Sequence, residues 1–129
     1  MPNPYRSERR LRPIRRAIER READLRLRIA EERERADAEG FSQLAEHSGD
    51  EADHAFARIQ IDVESRRIDA YLAEMRALAA ARERMEVGVF GICVDCGEPI
   101  EAARLNASPS VARCAICQNR REYRRALEH

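Results

Sequence analysis

The sequence predicts a mainly α protein, a long antiparallel coiled-coil hairpin on a small four-cysteine globule that ends in a C-terminal helix. Three observations lead there. The 129 residues hold 24 Arg and no Lys, 24 Asp plus Glu, and only 5% aromatics with no Trp. That is the alphabet of long exposed helices rather than of an aromatic-packed enzyme core. Two long stretches carry apolar residues at helical spacing on either side of one polar break. All four cysteines then fall in two close pairs near the end, and five Gly with five Pro leave little room for a turn-rich all-β fold.

Residues 1–12 are Arg-rich, contain Pro2 and Pro4, carry almost nothing to bury, and read as a mobile arm. Pro13 suits the first turn of a helix. From there Ile14, Ile18, Leu25 and Ile29 recur at spacings of four, seven and four, a thin stripe of the kind a two-helix seam uses. Gly40 is a weak point in that helix, costing up to about 1 kcal/mol relative to Ala, and a kink or an early end is expected there. His47-Ser48-Gly49-Asp50 breaks the pattern. A second stripe follows through Phe56, Ile59, Val63, Ile68, Met75, Leu78 and Met85. Two helices of about 35 residues joined by a short polar turn make an antiparallel hairpin over 13–87, roughly 50 Å long, with its tip near 47–55. Gly88-Val89-Phe90-Gly91 ends the second helix and opens a compact module over 88–129. Its last stretch, from about Val111 to Leu127, reads as a helix with the basic run Arg120, Arg121, Arg124 and Arg125.

The formal net charge is zero, so no uniform pull toward nucleic acid or membrane is expected. The zero conceals a gradient. Residues 1–21 hold eight Arg against two Glu, residues 22–88 ten Arg against seventeen acids, and residues 89–129 six Arg against five acids. A partner therefore meets a basic start, an acidic middle and a near-neutral end. No stretch approaches the roughly 20 apolar residues of a membrane span, and the start lacks the apolar region of a signal peptide. A cytoplasmic protein without membrane contact is expected.

Cys93, Cys96, Cys114 and Cys117 form C-x-x-C, seventeen intervening residues, and C-x-x-C. Two such pairs bring four soft thiolates within tetrahedral reach of one ion, the geometry Zn²⁺ accepts. Gly91 and Gly97 flank the first pair, where a tight knuckle needs unusual backbone. Four protein sulfurs leave no open position, so one structural zinc is expected rather than a catalytic one, supplying on the order of 10 kcal/mol of folding free energy to so small a module. A redox-active dithiol or two disulfides are the alternatives. In Asp50-Glu51-Ala52-Asp53-His54-Ala55, Asp50 fits an N-cap with Glu51 and Asp53 in the first helical turn; an acidic tip can also act on a metal-bearing or basic site in a partner. His47 and His54 read as solvated side chains rather than a second metal site. Arg66 and Arg67 form a basic pair in an acidic stretch, a pattern usually solvated or salt-bridged. The C-terminal arginines can touch phosphate. No nucleophile–base pair, phosphate-cradling Gly loop or catalytic metal motif is present.

Together these residues resemble the DksA/TraR family, whose members bind bacterial RNA polymerase. The likeness is carried by Asp50-x-x-Asp53-x-Ala55, by Gly88-x-Phe90-Gly91-x-Cys93-x-x-Cys96-Gly97-x-x-Ile100, by Arg104-Leu105-x-Ala107-x-Pro109, and by Cys114-x-x-Cys117-Gln118. The resemblance implies a coiled-coil hairpin on a zinc-finger globule, inserted through the polymerase secondary channel as a monomer. It implies that Asp50, Asp53 and Ala55 are the functional tip, approaching the active-site region and altering open-complex stability without contact to promoter sequence. It places Arg66 where family members tend to present a basic residue to the polymerase rim. Some members share a ppGpp site with the polymerase through basic side chains; the matching positions here are Ala77, Ser108 and Gln118. None is charged, and polyphosphate recognition depends on Arg or Lys, which speaks against a ppGpp response.

The expected function is thus a non-enzymatic transcription regulator. A zinc-finger DNA binder is the alternative from another class, because the cysteine spacing also matches GATA-type fingers and a basic helix follows. Base readout would want more unbalanced positive charge, and it leaves the long acidic hairpin without a part. A stimulator of transcript cleavage, with tip acids recruiting Mg²⁺, is a third reading.

Overall fold

A computed structural model describes residues 3–45 and 51–128, with side chains at all of these except 39–45, 51–54 and 57. Among the described residues a 3₁₀ turn over Pro4–Arg6 precedes four helices: α1 (Glu8–Ala45), α2 (Glu51–Glu86), α3 (Ala102–Ala107) and α4 (Ala115–Glu128). The chain divides into two compact units, one of Met1–Arg20 with Arg76–His129 and the other of Arg21–Met75.

The Arg21–Met75 unit is a pair of antiparallel helices. Its direction is fixed by ion pairs: Arg21 Nη2 donates to Glu74 at 2.8 Å with Nε on the other carboxylate oxygen, and Glu32 lies 3.6 Å from Arg67. Leu25 and Ile29 are buried, as their spacing predicts, and Glu32 continues the same stripe at only 5% exposure, flanked by Arg35 and Arg67. On α2 the sequence pattern is only partly right. Phe56, Ile59 and Val63, expected in the seam, are 62%, 61% and 40% exposed. They do share a face with the buried part of α2, being three, four or seven residues apart along it. Opposite Ile59 and Val63, in the register those ion pairs set, residues 33–38 of α1 read RERADA and offer no large apolar side chain to cover them.

The other unit holds the rest of the core. Leu11, Ile14 and Ile18 from the start of α1 and Leu78, Ala81 and Met85 from the end of α2 are buried in it, together with Phe90, Ile100 and Leu105. α2 stops at Glu86, where the Val89 and Phe90 amides both turn back to the Arg84 carbonyl, at 2.9 and 3.2 Å.

Three expectations for α1 need correction. Residues 3–12 are not a free arm: Asn3 caps the 3₁₀ turn through its side chain to the Tyr5 amide and donates to the Phe90 carbonyl at 2.7 Å, while Leu11 is 3% exposed. Pro13 does not open the helix but lies inside it. Lacking an N–H, it leaves the Arg9 carbonyl without its helical donor, a cost met within a segment already docked by Leu11 and Ile14. Nor does α1 end early at Gly40, since helical backbone runs through it to Ala45; a glycine's penalty of up to about 1 kcal/mol is small against a long cooperative helix. Among the described residues no helix is long and apolar enough to cross a membrane.

Candidate metal centre

The four-cysteine module is built from two knuckles. In the first, the Gly97 amide donates to the Cys93 carbonyl at 3.0 Å and the Cys93 amide to the Glu98 carbonyl at 2.8 Å, folding Cys96 back over Cys93. An isolated antiparallel bridge between Ile92 and Pro99 closes this loop, and the Ile100 amide reaches the Gly91 carbonyl at 2.8 Å. The second knuckle is the entry to α4. Cys114 immediately precedes the helix and Cys117 lies in its first turn, with the Gln118 amide on the Cys114 carbonyl at 2.9 Å and the Cys117 amide 3.5 Å from Cys114 Sγ. The Val94 amide joins the knuckles by donating to the Ala112 carbonyl at 2.9 Å.

Charged side chains brace the segment between them. Arg104 Nε donates to the Arg113 carbonyl at 3.0 Å, Arg113 pairs with Asp95 at 2.8 Å, and Arg84 reaches the Val111 carbonyl at 3.4 Å. Burial, with Arg113 nearby, lowers the Arg84 pKa.

All four sulfur atoms lie within 4.8 Å of one another, and Cys96 Sγ and Cys114 Sγ are 3.9 Å apart. A tetrahedral Zn²⁺ with bonds of about 2.3 Å puts its sulfurs about 3.8 Å apart, so the cluster has the size of a zinc site. None of the cysteines is in a disulfide. Burial pushes the Cys93 thiol up, but the amides of Cys96, Cys114 and Asp95 outweigh it and bring the group down to about 6. Cys117 is pushed up to about 12, chiefly by its hydrogen bond with Cys114 and then by burial. Four thiols this close cannot all ionise unless a cation sits among them, and that is the donor set a structural zinc requires. One structural zinc ion, held by Cys93, Cys96, Cys114 and Cys117, fits; it would supply cohesion to a module with few apolar residues.

Residues 88–123 match the family described as the prokaryotic dksA/traR C4-type zinc finger. Along almost the whole chain the fold matches a solved structure, that of transcription factor DksA2 from Pseudomonas aeruginosa, with a TM-score of 0.74 and 27% identity over 95% of this chain and 90% of that one. The chain belongs to the DksA/TraR family. Among curated relatives, the RNA polymerase-binding transcription factor DksA of Caulobacter vibrioides is 32% identical over 88 residues, 68% of this chain and 57% of the relative. The protein of the same name from Haemophilus influenzae is 32% identical over 75 residues, 58% of this chain and 52% of the relative. This DksA/TraR chain thus spans little more than half the length of those two relatives.

Of the other sequence-predicted residues, Asp50 lies outside the described residues, as does the side chain of Asp53, while Ala55 is exposed near the start of α2. His47 and His54 fall outside in the same way. Arg66 and Arg67 part company. Arg67 faces Glu32 across the helix pair, whereas Arg66 is exposed and makes no ion pair among the described residues. Ala77, Ser108 and Gln118 are half-buried, and Gln118 donates to Glu122 at 2.9 Å. Sequence reasoning missed Asn3 and Tyr5, which buttress the module through Phe90: the Tyr5 and Phe90 rings meet edge to face at 5.4 Å. An Asn before Pro, followed by one of only three tyrosines, was the available signal.

Proposed function

We propose that this chain is a transcription regulator that binds bacterial RNA polymerase, enters its secondary channel with the α1–α2 pair and modulates open-complex stability through an acidic tip. The observation that carries the reading is the joint presence of an antiparallel helix pair and a closed four-cysteine finger, aligned over 95% of the chain with a DksA2 structure. Relatives named as RNA polymerase-binding factors support the partner. The finger has a purely structural donor set, so the chemistry is assigned to the polymerase and the chain acts as a non-enzymatic, cytoplasmic monomer.

In this reading Asp50 and Asp53 bring negative charge close to the polymerase's catalytic metal, where the low local dielectric magnifies it, and Ala55 keeps the approach uncrowded. Arg66, exposed and without an ion pair among the described residues, is the member of the basic pair free to meet the channel rim. With no charge at Ala77, Ser108 or Gln118, the regulator works without ppGpp at that site. Asp53→Asn removes one charge at nearly constant volume. The variant is expected to bind polymerase within about twofold of the parent yet lose the effect on open-complex lifetime. Normal regulation by Asp53→Asn refutes the tip mechanism, and failure of the parent chain to bind purified polymerase refutes the partner.

A further inference from the structure

Arg120, Arg121, Arg124, Arg125 and Glu128 stand three, four, seven, eight and eleven residues after Cys117 along α4, so the six form one stripe of the helix. The four arginines are exposed, and they line an open groove whose other wall is the Val94–Cys96 knuckle. Carboxylates that could neutralise them are otherwise engaged. Glu122 does not line the groove and accepts from Gln118 at 2.9 Å, and Asp95 is held by Arg113 at 2.8 Å. Glu128 is the one acid on the stripe, and among the described residues none of the four arginines makes an ion pair.

The metal explains part of this charge. Four thiolates and one Zn²⁺ sum to −2, and Arg120 and Arg121 stand three and four residues from the ligand Cys117, close enough to offset it. Arg124 and Arg125 lie a further turn away, where the centre gives them nothing to neutralise. Because the chain uses no Lys anywhere, arginine as a residue type says nothing about the ligand; the one-sided placement does.

We propose that this arginine face of α4 binds the phosphodiester backbone of nucleic acid without reading its sequence. A groove built to hold a protein needs a buried apolar anchor at its centre, and here Val94 is the only large apolar lining residue. The exposed Ile116, Tyr123 and Leu127 belong to a different stripe of α4 and do not line the groove. Phosphates need only the planar guanidinium forks. The four guanidinium groups are exposed along an open groove with no enclosed pocket for a base, and the phosphates they would meet are presented alike by every sequence.

The test uses the full-length zinc-loaded chain, two fluorescein-labelled 30-base-pair duplexes of unrelated sequence, and anisotropy titrations between 50 and 200 mM NaCl. Both duplexes should bind alike. Two or more neutralised phosphates, at about 0.9 each, make the slope of log K against log salt at least as steep as about −1.8, a weakening of about 12-fold or more over that range. Arg124→Gln/Arg125→Gln, with its zinc content still one ion per chain, should flatten the slope by about 1.8. Should the double variant carry less zinc, Arg124→Gln alone reads a change of about 0.9. Absence of binding at 50 mM NaCl overturns the proposal. So does an unchanged slope in the variants. Displacement of the duplex by poly-L-glutamate at or below the charge-equivalent concentration of unlabelled duplex also overturns it, marking the face as one for an acidic protein.

Discussion

Replacing Gly91 with Ala should be the most damaging single-methyl change in the finger, and the structure says why. Gly91 has φ +87°, a region costing an L residue about 1–2 kcal/mol. A Cβ built there falls 2.5 Å from Cδ2 and 3.2 Å from Cε2 of Tyr5, far inside van der Waals contact. Tyr5 has little freedom to retreat, because its ring stands edge-on to Phe90 and its amide is held by the Asn3 side chain. Moving it forfeits the aromatic pair, about 0.5–1.5 kcal/mol, and disturbs the 2.7 Å bond from Asn3 to the Phe90 carbonyl, about 0.5–1.5 kcal/mol. The expected total is about 2–5 kcal/mol. Gly97 supplies the control. Its φ is +76°, but a Cβ there meets nothing within 4 Å, so Gly97→Ala should show the backbone cost alone, about 1–2 kcal/mol. Urea unfolding of the zinc-loaded proteins measures both. In a Tyr5→Ala background the penalty for Gly91→Ala should shrink to that of Gly97→Ala. If Gly91→Ala is no worse than Gly97→Ala, or if Tyr5→Ala leaves its cost unchanged, the buttress described here does not exist.

Three further outcomes are expected. Chelating the zinc should abolish cooperative unfolding of the finger and lower helicity, and zinc loading at pH 7 should release protons, because Cys96 and Cys117 hold theirs above the ordinary thiol range; calorimetry in buffers of different ionisation enthalpy counts them. The hydrogen bond from Arg21 holds the Glu74 carboxyl below its ordinary pKa of 4.5. A depressed folded-state pKa stabilises the protein above the unfolded value, and that stability is lost as pH falls through the folded one. Both side chains are about a third exposed, so the pair should contribute only about 0.5–1 kcal/mol, disappearing as pH falls below the ordinary carboxyl value of 4.5 and through the lowered folded one. Glu74→Gln should be weaker at pH 7 and show a correspondingly shallower loss over that window in thermal unfolding.

The legible parts of this fold are those whose cause is local. Cys93, Cys96, Cys114 and Cys117 announce their centre because a tetrahedral ion imposes spacing on the chain, and the four do converge. Ile14, Ile18, Leu25 and Ile29 are all buried because each lies on a stripe that its own helix defines. The illegible parts depend on a distant partner. Ile59 and Val63 have the period of a seam, but period cannot say whether the opposite helix presents anything to pack against, and the RERADA of residues 33–38 does not. Residues 3–12 look unburiable taken alone, with four Arg in ten positions. Their docking depends on Phe90 and Gly91, far away in sequence, and it moves the start of α1 ahead of Pro13.

The bond from Asn3 to Phe90 spans 87 positions of chain, which sets an order on folding. While the protein is being synthesised, Tyr5 has no ring to lie against and Asn3 no carbonyl to hold until α2 has emerged and reversed direction. Asn3 and Tyr5, made before α2, therefore settle after it, and closing so long a loop costs entropy that local helix formation does not. Completion of the finger gives Asn3 and Tyr5 their place, so folding of the module and capture of the Pro4–Arg6 turn are linked.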